Sequence, residues 1–311
     1  IIATGGPWSG LLCGSILMKL TNIPLALDFR DPWLANPDHG RLNWLISRID
    51  TFLEQRVVGI ADMLIANTEE LRRDFLCRYP NLSSDRVIAI TNGFEDYLPD
   101  LPRENNCVLT LAHVGSLYSS RNPRPLLEAA RNAVDAGQVD PTKLKLRFVG
   151  GIAVDEPDIA GILTSSSLAK SIEIIPRISY QESLQVMAES DVLLLYQPGF
   201  PLQVPRKLYD YMAARRPILC IAEPGSATWM LVERWSLGTV CENNVFQLEK
   251  ALVSIYENWK SNQLISLTGN RCDSFLNHNL VTQLRAHLEN VLRAPNDKQG
   301  RHNRPMTGKK G

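Results

Sequence analysis

The stretch Val192-Leu193-Leu194-Leu195-Tyr196 runs into Gln197-Pro198-Gly199-Phe200-Pro201, and then Val204-Pro205-Arg206-Lys207-Leu208-Tyr209-Asp210-Tyr211-Met212-Ala213-Ala214 takes up a helical pattern. Five consecutive apolar residues stopped by a Pro-Gly turn read as a strand buried on both faces, and Pro205 opens a run that suits a helix. Working outward, the same alternation recurs. Strands are expected near 108–114, 144–149, 172–175, 218–221 and 239–241, with helices near 124–136, 157–169, 180–189, 206–214, 227–234 and 246–260. Val-, Ile- and Leu-rich strands alternating with amphipathic helices describe a parallel sheet covered on both faces. Such sheets bind ligands at the carboxyl ends of their strands, so functional residues belong just after strands.

Toward the front the pattern is similar. A strand over 1–4 leads into a Gly-Gly-Pro turn, followed by a helix near 10–20, a strand over 25–27, a helix over 42–58 and a strand over 62–66. A helix capped by Asn67 or Thr68 carries Glu69 and Glu70 in its first turn, and a strand over 86–90 ends at the turn-forming pair Asn92-Gly93. The fold class expected is α/β with two Rossmann-like lobes, the N-terminal one incomplete. Residues 1–95 form the partial first lobe, 96–106 an acidic, Pro-containing linker, 107–260 the second lobe, 261–293 C-terminal helices and 294–311 a disordered tail.

The 311 residues are 44% hydrophobic and 21% charged, which suits about two globular domains. Lysine plus arginine equals aspartate plus glutamate at 33 each, so the chain as a whole has no net attraction for nucleic acid or anionic membrane. Any basic site is local. The six cysteines are scattered without a C-x-x-C pair, which argues against a zinc site or a disulfide framework and for reduced thiols in the cytoplasm. No apolar run approaches the ~20 residues of a membrane span.

Three stretches carry candidate chemistry. Asp28-Phe29-Arg30-Asp31-Pro32-Trp33 places two carboxylates and a guanidinium after a buried strand, either as a salt-bridged loop or as a polar wall for sugar hydroxyls. In His113-Val114-Gly115-Ser116-Leu117-Tyr118-Ser119-Ser120-Arg121, Gly115 would let backbone approach a phosphate and Arg121 offers a planar cation before a helix. By itself a glycine there is also simply a turn, and His113 reads as a core or rim residue. In the opening stretch, Arg206 and Lys207 stand at the positive end of a helix, an arrangement an anion would relieve, with Asp210 on the same face as Lys207. A surface ion pair is the alternative. Arg177, after the strand at 172–175, is a further candidate for the same cleft.

Taken in order, these pieces resemble the retaining GT-B glycosyltransferases usually numbered family four, in their bacterial cell-surface polysaccharide branch. Pro24 to Trp33 is similar to that branch's strand and aspartate-phenylalanine-arginine-aspartate loop. Ile65-Ala66-Asn67-Thr68 is similar to its strand ending in asparagine and a hydroxyl residue, and Asn92-Gly93-Phe94-Glu95 to its turn before the linker. His113 to Arg121 matches the first loop of the second lobe, and Pro205 to Ala214 the helix with a lysine and an acidic residue. The likeness spans about residues 1–290.

The resemblance implies a nucleotide-sugar donor and a glycan or lipid-linked acceptor. Asp210 would hold the donor ribose, and Lys207 and Arg121 would neutralise the diphosphate. Gly115 and Ser116 would line that pocket with Arg177 at its edge, while Asp28, Arg30 and Asp31 would face the transferred sugar from the first lobe. It implies front-face substitution with retention, no obligatory metal, no nucleic-acid partner, and a cytoplasmic protein with peripheral contact at the inner face of the plasma membrane. It also implies that the first lobe starts before Ile1. Two positions depart from the family pattern: Leu202 stands eight residues before Asp210, where a glutamate is usual, and Ser116 replaces an arginine common in relatives. The competing readings are an epimerase or hydrolase with Asp28 and Asp31 as acid and base, and a non-catalytic nucleotide-sugar-binding module.

Overall fold

The computed structural model describes residues 1–37, 43–99, 107–118, 121–153, 157–165, 167–265, 267, 269 and 271–293. Most of the expected linker and the expected C-terminal tail lie outside them. The chain divides into two compact units, one of Ile1–Asn92, Leu202–Val204 and Asn277–Gly311, the other of Gly93–Pro201 and Pro205–Leu276.

In the first unit four strands, β1 (Ile2–Thr4), β2 (Ala26–Phe29), β3 (Met63–Ala66) and β4 (Val87–Ala89), lie side by side in chain order, all parallel. Strand alternation sorts their side chains. Leu27, Phe29, Leu64, Ala66 and Val87 pack with Leu11 and Met18 of α1 (Ser9–Thr21), Val57 and Val58 of α2 (Trp44–Ile60), and Leu71 and Phe75 of α3 (Glu69–Arg78). Ala26, Met63, Ile65 and Ile88 form the opposite face. Thr68 is the cap of α3, its hydroxyl accepting from the Leu71 amide at 3.0 Å.

The C-terminal segment departs from the expectation of separate helices over 261–293. Among the described residues there is one α-helix, Asn277–Arg293, grouped with the first unit. Its Leu284, Leu288 and Val291 repeat at helical spacing and cover the second face of the four-stranded sheet. A face of Ala, Met and Ile left open would expose apolar surface, so the chain returns to cover it. Residues 261–276 hold only a 3₁₀ turn at Asp273–Phe275 among those described.

The second unit contains a six-stranded parallel sheet of β5 (Leu109–Val114), β7 (Leu144–Val149), β9 (Ile172–Ile175), β10 (Val192–Tyr196), β11 (Ile218–Ile221) and β12 (Gly238–Cys241). Its order is β12-β11-β10-β5-β7-β9. The chain therefore builds outward from β5 through β7 and β9, then returns to lay β10 against the other side of β5. That reversal is a topological switch point, the place at the carboxyl edge where open parallel sheets generally bind ligands. Helices α4 (Arg124–Asp135) and α9 (Val245–Lys260) pack on the sheet, with Leu126, Leu127, Ala130 and Ala133 of α4 in one core with Leu248, Leu252 and Tyr256 of α9. Each large apolar side chain buried this way contributes about 1.5–3 kcal/mol.

Two short strands, β6 (Leu117–Tyr118) and β8 (Ile152–Ala153), pair in parallel just beyond the carboxyl edge. Two residues are too few to show alternation, so the sequence pattern does not announce them. Helix α5 (Pro157–Ser165) is shorter than the expected 157–169, and a separate 3₁₀ turn occupies Ala169–Ser171. None of the six cysteines forms a disulfide. No helix among the described residues is long and apolar enough to cross a membrane.

Candidate functional site

The ladder between β5 and β10 is short, pairing Val192 with Leu111 and Leu193 with Ala112. Beyond that the strands separate, and side chains take over. The buried Tyr211 hydroxyl, from α7 (Lys207–Ala213), accepts from the Val114 amide and donates to the Leu194 carbonyl, both at 3.1 Å. Helix α7 is thereby fixed at the switch point, and its first residue, Lys207, meets the turn after β5.

That turn is made by Gly115, at φ +119° with its amide donating to the Val149 carbonyl at 2.7 Å. A Cβ built there would collide with Lys207 Nζ. The absence of a side chain is thus what admits the ammonium to the turn. Burial, followed by the charge of Arg121, lowers the Lys207 pKa to about 8 against the attraction of Asp210. Arg121 is held by Gln197, which follows β10 and is buried: its Oε1 accepts from Arg121 Nη2 at 3.0 Å. The guanidinium also lies 5.8 Å from the Phe200 ring centroid.

Asp210, one turn along α7 from Lys207, accepts from the Tyr180 hydroxyl at 3.0 Å. Tyr180 begins α6 (Tyr180–Glu189), whose start is set by a capping box between Ser179 and Glu182. Burial raises the Asp210 pKa, while the Tyr180 hydrogen bond and the charges of Arg206 and Lys207 oppose the rise.

Gly115, Arg121, Lys207 and Asp210, singled out in the sequence, are therefore brought together. Ser116 stands beside them and donates from its hydroxyl to the Gly150 carbonyl at 3.1 Å. Arg177 is exposed beyond the edge strand β9, and among the described residues no hydrogen bond or ion pair holds it. Tyr180, Gln197, Tyr211 and His113 were not assigned from the sequence. Gln197 had a legible signal, being the polar residue directly after the central strand. The others act through long-range contacts.

In the first unit, the carboxyl ends of the strands collect a second polar group. Arg30 donates to Asn92 Oδ1 and stands 4.0 Å from the Asp28 carboxylate. Burial pushes the Asp28 carboxyl up, countered by Arg30 and by a hydrogen bond from Thr4. Asp31 accepts from Gln203 Nε2 at 2.9 Å, and Asn67 Nδ2 donates to the Arg30 carbonyl at 2.9 Å. Asp28, Arg30 and Asp31 are thus grouped, joined by Asn67, Asn92 and Gln203. Leu202, eight residues before Asp210, packs on the apolar core of this unit while its carbonyl accepts from Thr68 Oγ1 at 2.7 Å. Among the described residues no three His, Cys, Asp or Glu side chains are grouped as a metal site.

No family model matches the sequence, and no curated protein is similar to it. Solved structures do match. Sucrose-phosphate synthase from Thermosynechococcus elongatus is 14% identical, with TM-score 0.66 over 94% of this chain and 73% of that one. An E. coli trehalose-6-phosphate protein bound with UDP-2-fluoro glucose is 14% identical, with TM-score 0.66 over 92% of this chain and 72% of that one. WaaG, a glycosyltransferase involved in lipopolysaccharide biosynthesis, is 14% identical, with TM-score 0.56 over 89% of this chain and 79% of that one. At these identities the likeness is one of fold, and the fold is α/β with the two Rossmann-like lobes of the GT-B class.

Proposed function

We propose that the chain is a glycosyltransferase that moves a sugar from a nucleotide-diphosphate donor to a glycan or lipid-linked acceptor, with retention, in cell-surface polysaccharide synthesis. The observation that carries the reading is the meeting of Lys207 and Arg121 at the side-chain-free Gly115 turn, on the switch point of the second sheet, with Asp210 one helical turn away. Two cations that repel each other in a half-buried crevice favour an anion between them. A diphosphate supplies the charge, and a carboxylate beside it suits the vicinal hydroxyls of a ribose. The fold neighbours include a protein bound with UDP-2-fluoro glucose and one involved in lipopolysaccharide biosynthesis, which accords with donor and pathway.

In this reading Lys207 and Arg121 stabilise the departing diphosphate as the anomeric bond breaks, taking the part a metal ion plays elsewhere. Gly115 and Ser116 line the phosphate pocket, with Arg177 at its rim. Asp28, Arg30 and Asp31 of the first unit offer carboxylates and a guanidinium suited to sugar hydroxyls. The exposed Leu45, Ile49 and Phe52 of α2, interspersed with Arg48 and Arg56, accord with peripheral contact at the inner face of the plasma membrane, where a lipid-linked acceptor resides.

Lys207→Ala and Arg121→Ala are each expected to weaken UDP binding by about 1.5–3 kcal/mol, the range for hydrogen bonds to charged groups. Calorimetric titration of both variants checks this, and unchanged dissociation constants for both would remove the donor site. Asp210→Asn should weaken UDP while sparing inorganic pyrophosphate, and equal loss for the two ligands would exclude the ribose contact. Transfer of labelled sugar to lipid-linked acceptors in vesicles tests the reaction itself. The raised carboxyl of Asp28 favours one alternative, proton transfer on the donor without acceptor; release of free sugar in the same assay with acceptor omitted would identify it.

A further inference from the structure

Behind the Gly115 turn lies an imidazole to which the donor-site reading gives no task. His113, on β5, is fully buried. Its Nδ1 is 3.0 Å from the Leu194 carbonyl oxygen. A carbonyl only accepts, so Nδ1 carries the hydrogen. Burial, and then the positive charges of Lys207 and Arg121, hold the ring's pKa well below the ordinary histidine value against the backbone hydrogen bonds of Leu194 and Gly115, so the ring is neutral and, with Nδ1 carrying the hydrogen, Nε2 is the accepting nitrogen. That bare nitrogen stands 3.3 Å from Lys207 Nζ. The Tyr196 ring meets the imidazole edge-on, with centroids 5.5 Å apart at 81°, and fixes its plane.

We propose that His113 is a positioning residue whose Nε2 lone pair holds the Lys207 ammonium against the Gly115 turn, aiming it at the diphosphate of the ligand. The inference rests on the donor-site reading, since it names what orients that site's cation. The charged groups facing Lys207 are Arg121 from the segment before α4 and Asp210 from its own helix, with His113 on the strand side. An alkyl-ammonium on a flexible stem has many rotamers in a half-open crevice, and an acceptor at its back selects one.

A linked proton follows. With the Lys207 pKa lowered to about 8 in the empty site, part of the population carries a neutral amine in mildly alkaline solution, and a bound diphosphate favours the ammonium. Because the lysine pKa is higher in the complex than in the empty site, its contribution to affinity is full well below pH 8 and declines as pH rises through and above that value. UDP should therefore draw protons from solvent on binding near pH 8.

The test uses the full chain and UDP. Imidazole ¹⁵N spectra of the wild type are expected to show a ring protonated at Nδ1 and bare at Nε2. The Nε2 signal should move with the lysine titration near pH 8 and again on adding UDP, and it should lose the former response in Lys207→Ala. His113→Gln, which offers an amide oxygen near the Nε2 position, should keep UDP affinity within about threefold at pH 8. His113→Asn, which reaches only the Nδ1 position, should lose about tenfold, the equivalent of one pKa unit. An Nε2-protonated ring, or an Nε2 signal indifferent to Lys207→Ala, overturns the positioning role. So do equal losses in folded Asn and Gln variants, while the wild-type spectra decide the matter if either variant does not fold. UDP binding that persists alongside those results leaves the donor site standing. A wild-type chain that does not bind UDP at all overturns the donor site and this inference together.

Discussion

Gly115→Ala is expected to raise the dissociation constant for UDP roughly tenfold to a hundredfold, by evicting Lys207 from the turn. The new methyl group would occupy the place of Nζ, and losing a charged hydrogen-bond donor costs about 1.5–3 kcal/mol, where each 1.4 kcal/mol is tenfold. The same substitution strains the backbone, because φ is +119° there, and such conformations cost non-glycine residues about 1–3 kcal/mol of stability. Gly137→Ala separates the two effects. Gly137 also has positive φ, +70°, but has no atom within 4 Å of the added carbon. It should lower the thermal unfolding midpoint while leaving UDP affinity unchanged. Calorimetry and melting curves on both variants check this, and equal UDP affinity in the two would refute the steric argument.

Glu54→Ala is expected to destabilise the first unit by about 3–5 kcal/mol, the usual result of removing one member of a buried ion pair. The Glu54 side chain is wholly buried on α2 and serves three donors. Its Oε1 pairs with Arg78 Nη1 and accepts from the Tyr79 hydroxyl at 2.6 Å, while Oε2 accepts from the Leu34 amide at 2.9 Å. Alanine leaves all three without this partner. Because Leu34 follows the Asp28–Trp33 loop, the loss should also loosen the stacked Trp8–Trp33 pair, whose centroids lie 5.3 Å apart. Glu54→Gln keeps one acceptor oxygen for Arg78 and Tyr79 but replaces the oxygen that accepts from the Leu34 amide with a donor, and should cost less than alanine. Urea unfolding followed by circular dichroism gives the comparison, and an alanine variant as stable as the wild type would show that the buried carboxylate is not what joins α2, α3 and the loop.

Much of the fold was legible because its signals are local. The strands at 144–149, 172–175, 192–196 and 218–221, and the helices at 180–189 and 227–234, have the bounds read from apolar runs, caps and turn residues. Apolar run length and the Ser179 and Ser226 caps are properties of adjacent residues, so no tertiary information is needed to find them. The pairs β6 and β8 escaped because two residues carry no period. Helix Asn277–Arg293 lies within the stretch where C-terminal helices were expected, but its bounds were not read, and its place on the first sheet depends on a face left open by residues more than 180 positions earlier.

The candidate site divides in the same way. Gly115, Arg121, Lys207 and Asp210 were visible because each sits just after a strand or at the start of a helix, where a parallel sheet concentrates its chemistry. Of the residues that hold them, only Gln197, directly after the central strand, carries a local mark; His113, Tyr180 and Tyr211 carry none, since a histidine in a buried strand and tyrosines in helices read as core. The α/β alternation, the helix caps and the cations beside a glycine turn are written in neighbouring residues and were determined by the sequence alone. The return of β10 to the side of β5, which brings the Lys207 amine onto the Gly115 turn and against the His113 lone pair, was decided by the tertiary structure. Contacts between residues some ninety positions apart depend on strand order, and strand order is settled by packing of the whole sheet rather than by any local pattern.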